Sequence, residues 1–411
     1  MAEGSASGAE PAPVAWVRPL VAMLAVQTAV SFLSRLAPTL APTLMPRVGG
    51  SAESVGYLSS LITGGSMLVL LIGMPFQRRL GAMRMLQIGL ALGVLGTLLS
   101  ALPSAAALVI GSLLIGLSIG PPSSAGMDVL QRFSPPHHRN LLFSVKQAGV
   151  PLGGVLAGLA MPLVAETLGI VPAFALAATL GAATLVAVQP LRRAVDAGRD
   201  RALRLNWRLF ASIDNLRQPL ASLSALPNLR RMGIAGGCLG AGQSAWFAFL
   251  VTYLVTGLDW SLTSAGALFA LMQALSALGR PLAGFVSDRL GDGVRVLRWT
   301  ASGSGVATMV LALSTPAWPT WSIVVLAVFG GLTVASWNGV QFAEVARLAP
   351  RERLNEAMAG ATLVLLGAYV LGPAVVGLIL TLGASFRTAL AVTAVVTFAA
   401  LIPLGRIGRP G

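Results

Sequence analysis

Twelve long apolar segments constrain this chain more than any other feature. Each has close to the 20 or so mostly apolar residues that cross the hydrocarbon core of a bilayer. They occupy residues 16–44, 54–76, 85–102, 106–127, 142–164, 172–188, 232–254, 264–286, 296–313, 323–342, 357–380 and 388–402. Charged residues make up only 10% of the chain, whereas about 25% is usual in soluble domains. The sequence therefore predicts an all-α membrane protein with twelve transmembrane helices.

A polar stretch divides these segments into six and six. Residues 189–231 contain nine arginines and an amphipathic middle, so we expect this linker to lie on the inner membrane surface. We interpret the N-terminus as a tail and not a cleaved signal peptide, because no basic region precedes an apolar core. The predicted parts are a cytoplasmic tail (1–15), a six-helix bundle (16–188), the basic linker (189–231), a second six-helix bundle (232–403) and a cytoplasmic tail (404–411).

The arginines set the predicted orientation. If the N-terminus is inside, 23 of the 28 basic residues fall on the same side, and only Arg47 and Arg387 fall on the other. Cytoplasmic loops collect Arg and Lys, so both termini and the linker are predicted to be cytoplasmic, in a bacterial inner membrane. This distribution explains the net charge of +14 without a nucleic-acid partner, which would need a basic solvated face.

Two loops repeat one pattern in the two halves. GMPFQRRLGAMRML runs from Gly73 to Leu86, and GFVSDRLGDGVRVL runs from Gly284 to Leu297. Both have a glycine at the helix end, then arginine, Leu-Gly and a further arginine. An internal repeat at this spacing indicates two related six-helix units.

The second loop resembles the most specific signature of the major facilitator superfamily, G-x-x-x-D-R-x-G-x-x-x-R, and the resemblance covers nearly the whole chain. It implies two pseudo-symmetric six-helix bundles and an intracellular charge latch. It also implies that the first glycine of the signature permits close helix contact. The latch residues would be Gly284, Asp288, Arg289, Gly291 and Arg295.

The first loop departs from the signature. Gly73, Arg78 and Arg84 match it, but Gln77 stands where the aspartate is expected, so we expect a weaker latch in the first half. At the inner end of the tenth segment, Glu344 and Arg351 have an E-x6-R spacing that resembles the family's partner for the latch.

The fifth segment contains KQAGVPLGGVLAG. The pairs Gly149/Gly153 and Gly154/Gly158 have the small-xxx-small spacing that lets another helix approach closely. Pro151 is expected to kink or weaken the helix. The segment resembles the family's glycine-proline motif, with Val150 interposed; because that motif is often linked to exporters, the direction of transport stays open.

Three cations fall inside predicted helices, where a charge indicates a functional site. Arg35 lies about 26 Å along the first helix at 1.5 Å per residue, too far from the inner surface to reach it. It shares a polar stripe with Gln27 and Ser31, and we expect it to contact substrate. The alternative is an arginine satisfied by backbone carbonyls.

Lys146 and Arg280 each lie about six residues from the inner end of their helix. Each therefore either faces a central cavity, as the neighbouring Gln147 and Gln273 suggest, or extends to the lipid headgroups. A second latch residue is a further alternative for Arg280, while related anion carriers resemble this chain in having a carboxylate-binding arginine on helix eight. Other candidate substrate contacts, with helix packing as the alternative, are Gln243, Trp337, Asn338 and Gln341.

The acids complete the pattern, because none of the fourteen falls near the middle of a predicted helix. A positive cavity favours an anion, and arginine holds a carboxylate through two parallel hydrogen bonds. A midplane carboxylate to carry a proton is missing. A coupling proton would therefore move with the substrate or through a peripheral acid such as Glu166 or Asp128; anion exchange and simple facilitation stay open.

These observations predict a secondary transporter that moves a small organic anion, a carboxylate, by alternating access. The alternatives are an exporter of drug-like compounds and a non-transporting sensor or scaffold on the same fold. The sequence has no nucleophile–His–acid set, no metal-ligand spacing and no phosphate-binding loop. We therefore expect no enzyme activity, cofactor or metal, and a monomer whose partners are the lipid bilayer, a small anion and a coupling proton or counter-anion.

Overall fold

The computed structural model describes residues 16–51, 53–135, 138–200, 202–203 and 214–408. The predicted tails in 1–15 and 409–411 and much of the linker lie outside these residues. Within them the chain forms helices and no strands, and twelve helical spans are long and apolar enough to cross a membrane. The predicted all-α fold of twelve spans is confirmed.

The spans are numbered in chain order. They are α1 (Val17–Arg47), α2 (Ser54–Leu80), α3 (Ala82–Ser100), α4 (Ala105–Phe133), α5 (Leu141–Thr167), α6 (Ile170–Val195), α7 (Pro227–Leu258), α8 (Leu262–Leu290), α9 (Gly293–Leu313), α10 (Thr320–Leu348), α11 (Arg351–Thr381) and α12 (Phe386–Gly405). A further helix, Asp214–Ser224, belongs to the linker.

The repeated Leu-Gly pairs end two equivalent helices. Gly81 follows α2 with φ +97°, and Gly291 follows α8 with φ +61°. Residues with a side chain rarely adopt such positive angles, whereas glycine does so without strain. The N–H of Gly291 donates to the carbonyl of Asp288 and so closes the last turn of α8. The repeat in the sequence is therefore a repeated helix stop.

The buried apolar side chains form three clusters. We call the end of the bundle that carries Val17 and Gly405 the terminal end, and the opposite end the far end. At the far end one cluster draws side chains from both sets of six spans, among them Leu36 and Leu254. Toward the terminal end there are two clusters, one within α1–α6 and one within the linker helix and α7–α12. The two halves are thus joined at the far end and separate toward the terminal end.

Close backbone contacts join the halves at the far end. A Cβ on Gly56 of α2 would overlap the carbonyl oxygen of Pro373 on α11. The hydroxyl of Ser60 donates to the Val370 carbonyl at 2.6 Å. These contacts hold α2 against α11 without room for a solute.

A carboxylate makes a second far-end contact. Glu166, at the end of α5, accepts hydrogen bonds from the backbone N–H (3.1 Å) and the hydroxyl of Thr263, in the first turn of α8. The free N–H groups and the positive dipole end of a helix N-terminus favour a carboxylate there. Glu166 therefore links α5 to α8.

The glycines of α5 let it pack between α1 and α8. Gly149 and Gly153 face α1, and a Cβ on Gly153 would lie 2.5 Å from the backbone nitrogen of Phe32. Gly154 and Gly158 face α8, where Cβ atoms would overlap Gln273 and the Gly266 carbonyl. The prediction of close packing at these small-residue pairs is confirmed.

Pro151 also acts locally as predicted. The helix is interrupted at Ala148, between Arg139–Gln147 and Gly149–Thr167. Proline has no N–H to donate to the carbonyl four residues earlier, which here belongs to Gln147. The helix therefore weakens at this carbonyl.

The described part of the linker contacts the second bundle, and its expected place on the inner membrane surface stays a prediction. The helix Asp214–Ser224 packs against α11 and α7. Gly360 allows close approach of the Pro219 carbonyl, and the Ser222 hydroxyl donates to Glu356 at 2.5 Å. A small residue on α11 thus leaves room for the linker backbone to pack against the bundle.

We predict that Gly153→Val destabilises the protein by about 1–3 kcal/mol, because the added side chain would meet the backbone of α1 and force overpacking. Thermal unfolding in one detergent measures the effect. Gly367→Ala is the control, since a Cβ there meets nothing within 4 Å. Equal melting temperatures for Gly153→Val and wild type would contradict the close-packing interpretation.

Candidate functional site

A cavity of about 260 Å³ lies between the two sets of six spans. It is lined by residues of α1, α2, α4, α5, α7 and α11. The far-end contacts close it on one side. Small-molecule sites usually measure about 300–1,000 Å³, so this cavity suits a small solute.

Arg35 lines the cavity from the middle of α1. Its guanidinium carbon lies 4.3 Å from the centroid of the Phe247 ring, a cation–π geometry. Its Nε is buried and has no hydrogen-bond partner among the residues that the structure describes. None of the ion pairs between described residues includes Arg35. A cation without a counter-charge at this depth is available to an anionic ligand.

The predicted polar stripe on α1 also lines the cavity. Gln27 and Ser31 are both lining residues, and the Gln27 amide donates to the Ser31 hydroxyl at 3.4 Å. The Gln27 Oε1 is buried without a partner. Gln147 joins them from α5. The structure therefore brings Arg35 together with three of the predicted polar contacts.

Lys146 is placed differently from both of its predicted alternatives. Its side chain is 1% exposed, so it does not reach the headgroups, and it does not line the cavity. Its Nζ donates to the Pro122 carbonyl at 2.7 Å and to Gln147 Oε1 at 3.2 Å. Lys146 joins α5 to α4 and holds Gln147 at the cavity wall.

Arg280 and Gln273, on α8, also lie outside the cavity lining. The Arg280 Nε donates to the Ala335 carbonyl of α10 at 3.3 Å. Gln273 is buried against Gly154, with its Oε1 unbonded. These polar groups face neighbouring helices because α8 packs tightly against α5 and α10.

Tyr369 on α11 is a cavity residue that the sequence reasoning missed. Its hydroxyl donates to Gln243 at 2.8 Å and accepts from Asn338 at 3.3 Å. These two hydrogen bonds join α7, α10 and α11 through the Tyr369 hydroxyl. A single tyrosine in the middle of an apolar segment was the available signal.

The remaining candidates in the second half are packing residues. Gln243 and Asn338 reach the cavity only through Tyr369, since neither lines it. Trp337 is fully buried, and its indole N–H donates to the Val334 carbonyl. Gln341 lies against Gly236, where its amide has no partner. Phe247, which was also missed, lies one helical turn from Gln243 and lines the cavity.

The expected charge latch after α8 is not formed in this structure. Asp288 is exposed and has no ion pair with a described residue. Arg289 lies over the Phe285 ring at 5.1 Å and Arg295 over the Trp299 ring at 5.0 Å. The two arginines contact aromatic rings of their own segments because the halves are separate at this end.

The other latch residues also differ from expectation. A Cβ on Gly284 would meet nothing within 4 Å, so close helix contact is not its role here. Gly291 serves as the helix stop described above. Glu344 bonds to Arg347 at 2.6 Å, one turn away, and not to Arg351. The spacing of three residues within a helix places Arg347 beside Glu344, whereas Arg351 begins the next helical segment.

The first-half loop has a buried carboxylate that its sequence motif does not contain. Asp196 accepts the N–H groups of Met83 (2.8 Å) and Arg84 (3.1 Å), at the start of α3. Gln77, in the place of the expected aspartate, is buried with an unbonded Oε1. Arg78 is exposed, and Gly73 is buried within α2. An acid from beyond α6 thus stabilises this loop.

Among the described residues, no group of three or more His, Cys, Asp and Glu could hold a metal ion.

The sequence profile of the Major Facilitator Superfamily matches residues 20–342 and 232–410. The chain belongs to this superfamily.

Two curated relatives are uncharacterised MFS-type transporters of Mycobacterium tuberculosis, from the CDC 1551 / Oshkosh and H37Rv strains. Each is 30% identical over 197 residues, which are 48% of this chain and 42% of the relative. The match thus spans less than half the length of these relatives.

Solved structures share the fold over nearly the whole chain. A POT family transporter in complex with 5-aminolevulinic acid has a TM-score of 0.76 at 14% identity, covering 94% of this chain and 95% of that one. The nucleoside transporter NupG has a TM-score of 0.73 at 16% identity, covering 94% and 98%. These likenesses show that the fold is shared.

We predict that Tyr369→Phe destabilises the protein by about 1–3 kcal/mol, because it leaves the buried Gln243 acceptor unsatisfied. Thermal unfolding measures the change. Tyr57→Phe is the matched control, since the Tyr57 side chain is exposed where its hydroxyl meets Thr381. An equal effect of the two substitutions would contradict a special role for the Tyr369 network.

Proposed function

We propose that this protein is a secondary transporter that moves a small organic anion, a carboxylate, across the bacterial inner membrane by alternating access. The observation that carries the proposal is the Arg35 guanidinium, which faces the cavity between the halves without a counter-charge. A carboxylate would supply that charge and two parallel hydrogen bonds.

The charge of the cavity wall supports an anion over a cation. The described residues that line the cavity include Arg35 and no aspartate or glutamate. A cationic drug would approach an unbalanced positive charge in a medium of low dielectric constant, where repulsion is strong. Export of an anionic or neutral amphipathic compound stays as the alternative function.

The shape supports an inward-facing state. A second opening between α2 and α11 is lined by Met74, Arg78 and Glu356, and it shares Leu70 with the central cavity. This opening lies at the terminal end, which the arginine distribution assigns to the cytoplasm. A solute in the cavity would therefore exchange with the cytoplasm while the far-end contacts exclude the other side.

The residues that line the cavity also bear on how substrate transport is coupled to a proton or a counter-anion. Without a carboxylate on the cavity wall, a proton would travel on the substrate, or a counter-anion would occupy Arg35 on the return step. Glu166 is a candidate peripheral acid for the proton, since its bonds to Thr263 link the halves at the far end.

We predict that Arg35→Ala abolishes the stabilisation of the purified protein by carboxylates, and that Arg35→Lys weakens binding at least about tenfold, because lysine cannot reproduce the bidentate fork. The assay is a thermal-shift titration with acetate, benzoate and succinate, with tetraphenylphosphonium as the cationic contrast. The best binder is then used for uptake into proteoliposomes.

Arg193→Lys, an exposed position outside the cavity, is the matched control and should bind as wild type does. Unchanged carboxylate binding in Arg35→Ala, or stabilisation by tetraphenylphosphonium alone, would overturn the anion site.

Alternating access also predicts that locking the far end stops transport. Tyr57 and Thr381 meet there across α2 and α11, with their hydroxyl oxygens 3.3 Å apart. In a Cys238→Ser background, the pair Tyr57→Cys and Thr381→Cys joined by a short bis-maleimide should lose uptake yet keep carboxylate binding from the open side. Each single cysteine variant, treated with the same reagent, is the control. Full uptake by the cross-linked protein would exclude this motion.

A further inference from the structure

We infer that the substrate is a small amphipathic monocarboxylate. It has one carboxylate, an apolar body and a second hydrogen-bonding group, which lies as far from the carboxylate as one to two turns of helix α1 are long. This inference rests on the proposed function, because it assumes that Arg35 binds a carboxylate. It adds which further groups the two cavity walls can accept.

The wall formed by the first six spans has unused hydrogen-bonding capacity. Three polar atoms of its lining residues have no partner among the described residues: Arg35 Nε, Gln27 Oε1 and Ser59 Oγ. Neighbouring protein atoms enclose all three, so a substrate would bond to them after their side chains turn toward the cavity. In a bilayer interior, unpaired polar groups are costly unless water or a ligand satisfies them. A substrate with polar groups on one face would do so.

On the wall formed by the last six spans, the hydroxyl donors are already used. Its polar side chains already bond within the protein: Ser244 to the Ala241 carbonyl, Thr362 to the Met358 carbonyl, and Tyr369 to its two amides. The rest of this wall is apolar, formed by Phe247, Ala248, Leu366 and Pro373. The apolar body of a substrate would pack there, since burying apolar surface is favourable.

The number of cations limits the number of carboxylates. Arg35 is the one cationic side chain among the described residues that line the cavity. The other two buried cations already donate within the protein: Lys146 to the Pro122 carbonyl and Gln147, and Arg280 to the Ala335 carbonyl. A second carboxylate would be buried without a partner, which is strongly unfavourable. The site therefore suits a monoanion better than a dianion.

The geometry of α1 sets the distance between the two polar groups. Ser31 and Gln27 precede Arg35 by one and two turns, which are about 6 and 12 Å along the helix at 1.5 Å per residue. When the carboxylate on a six-membered ring binds Arg35, a hydroxyl at the para position lies within this range of distances. A hydroxyl at the ortho position does not.

The test compares four aromatic acids by isothermal titration of the purified protein. We expect 4-hydroxybenzoate to bind about 3- to 10-fold more tightly than benzoate, the effect of one neutral hydrogen bond. We expect 2-hydroxybenzoate to gain nothing over benzoate, and terephthalate, with a second carboxylate, to bind more weakly than 4-hydroxybenzoate.

Two variants test whether the wall formed by the first six spans causes the difference in affinity between 4-hydroxybenzoate and benzoate. Gln27→Leu with Ser31→Ala should remove the advantage of 4-hydroxybenzoate and keep the affinity for benzoate. Ser59→Ala, a smaller change, tests the same wall if the double variant does not fold. Ser100→Ala, whose hydroxyl bonds to its own helix on α3 outside the cavity, should bind all four acids as wild type does.

The outcomes separate the two proposals. Equal, Arg35-dependent binding of benzoate and 4-hydroxybenzoate, or tightest binding of terephthalate, would overturn the amphipathic monocarboxylate and leave the anion transporter standing. Binding of none of the four acids would overturn both.

Discussion

Inside a bilayer, every backbone N–H and C=O must find its hydrogen bond within the protein. Twelve helices meet this constraint here, and packing between them then depends on small residues, because lipid offers no hydrophobic reason for helices to associate. The glycines of α5 show the consequence. Gly153 and Gly154 let one helix approach α1 on one side and α8 on the other, so α5 joins the two halves. The cavity exists because these contacts are close at the far end and absent toward the terminal end.

The same constraint gives the polar groups their roles. A lysine at membrane depth becomes a structural donor when a carbonyl is within reach, as Lys146 does at Pro122. An arginine that finds a carbonyl, as Arg280 does at Ala335, is also used by the fold. Arg35 differs because its neighbours are an aromatic ring and open space. The candidate site is thus the place where the packing leaves a charge without an ion pair among the described residues.

Titratable groups at the two ends give a simple account of how the halves separate and meet. At the far end, Glu166 binds the start of α8. At the terminal end, Asp288 has no ion pair among the described residues, and Glu344 turns to Arg347 on its own helix. Under the proposed alternating access, the halves would close at this end in another state. Asp288 could then pair across it, whereas Glu344 would first have to leave Arg347.

The sequence by itself determined the twelve spans, the repeat between the two halves and the packing at the α5 glycines, and it singled out Arg35 as a candidate. Each follows from local rules: apolar length, a repeated motif, small-residue spacing, and the expense of a buried charge. The tertiary structure alone decided which polar residues share the cavity. Lys146, Trp337 and Gln341 resemble Gln27 and Ser31 as polar or aromatic residues in apolar segments, yet they pack inside the helix bundle, whereas Tyr369 and Phe247 face the cavity. Which way a side chain on a membrane helix points depends on how that helix is rotated against its neighbours, and those contacts come from segments far apart in the chain.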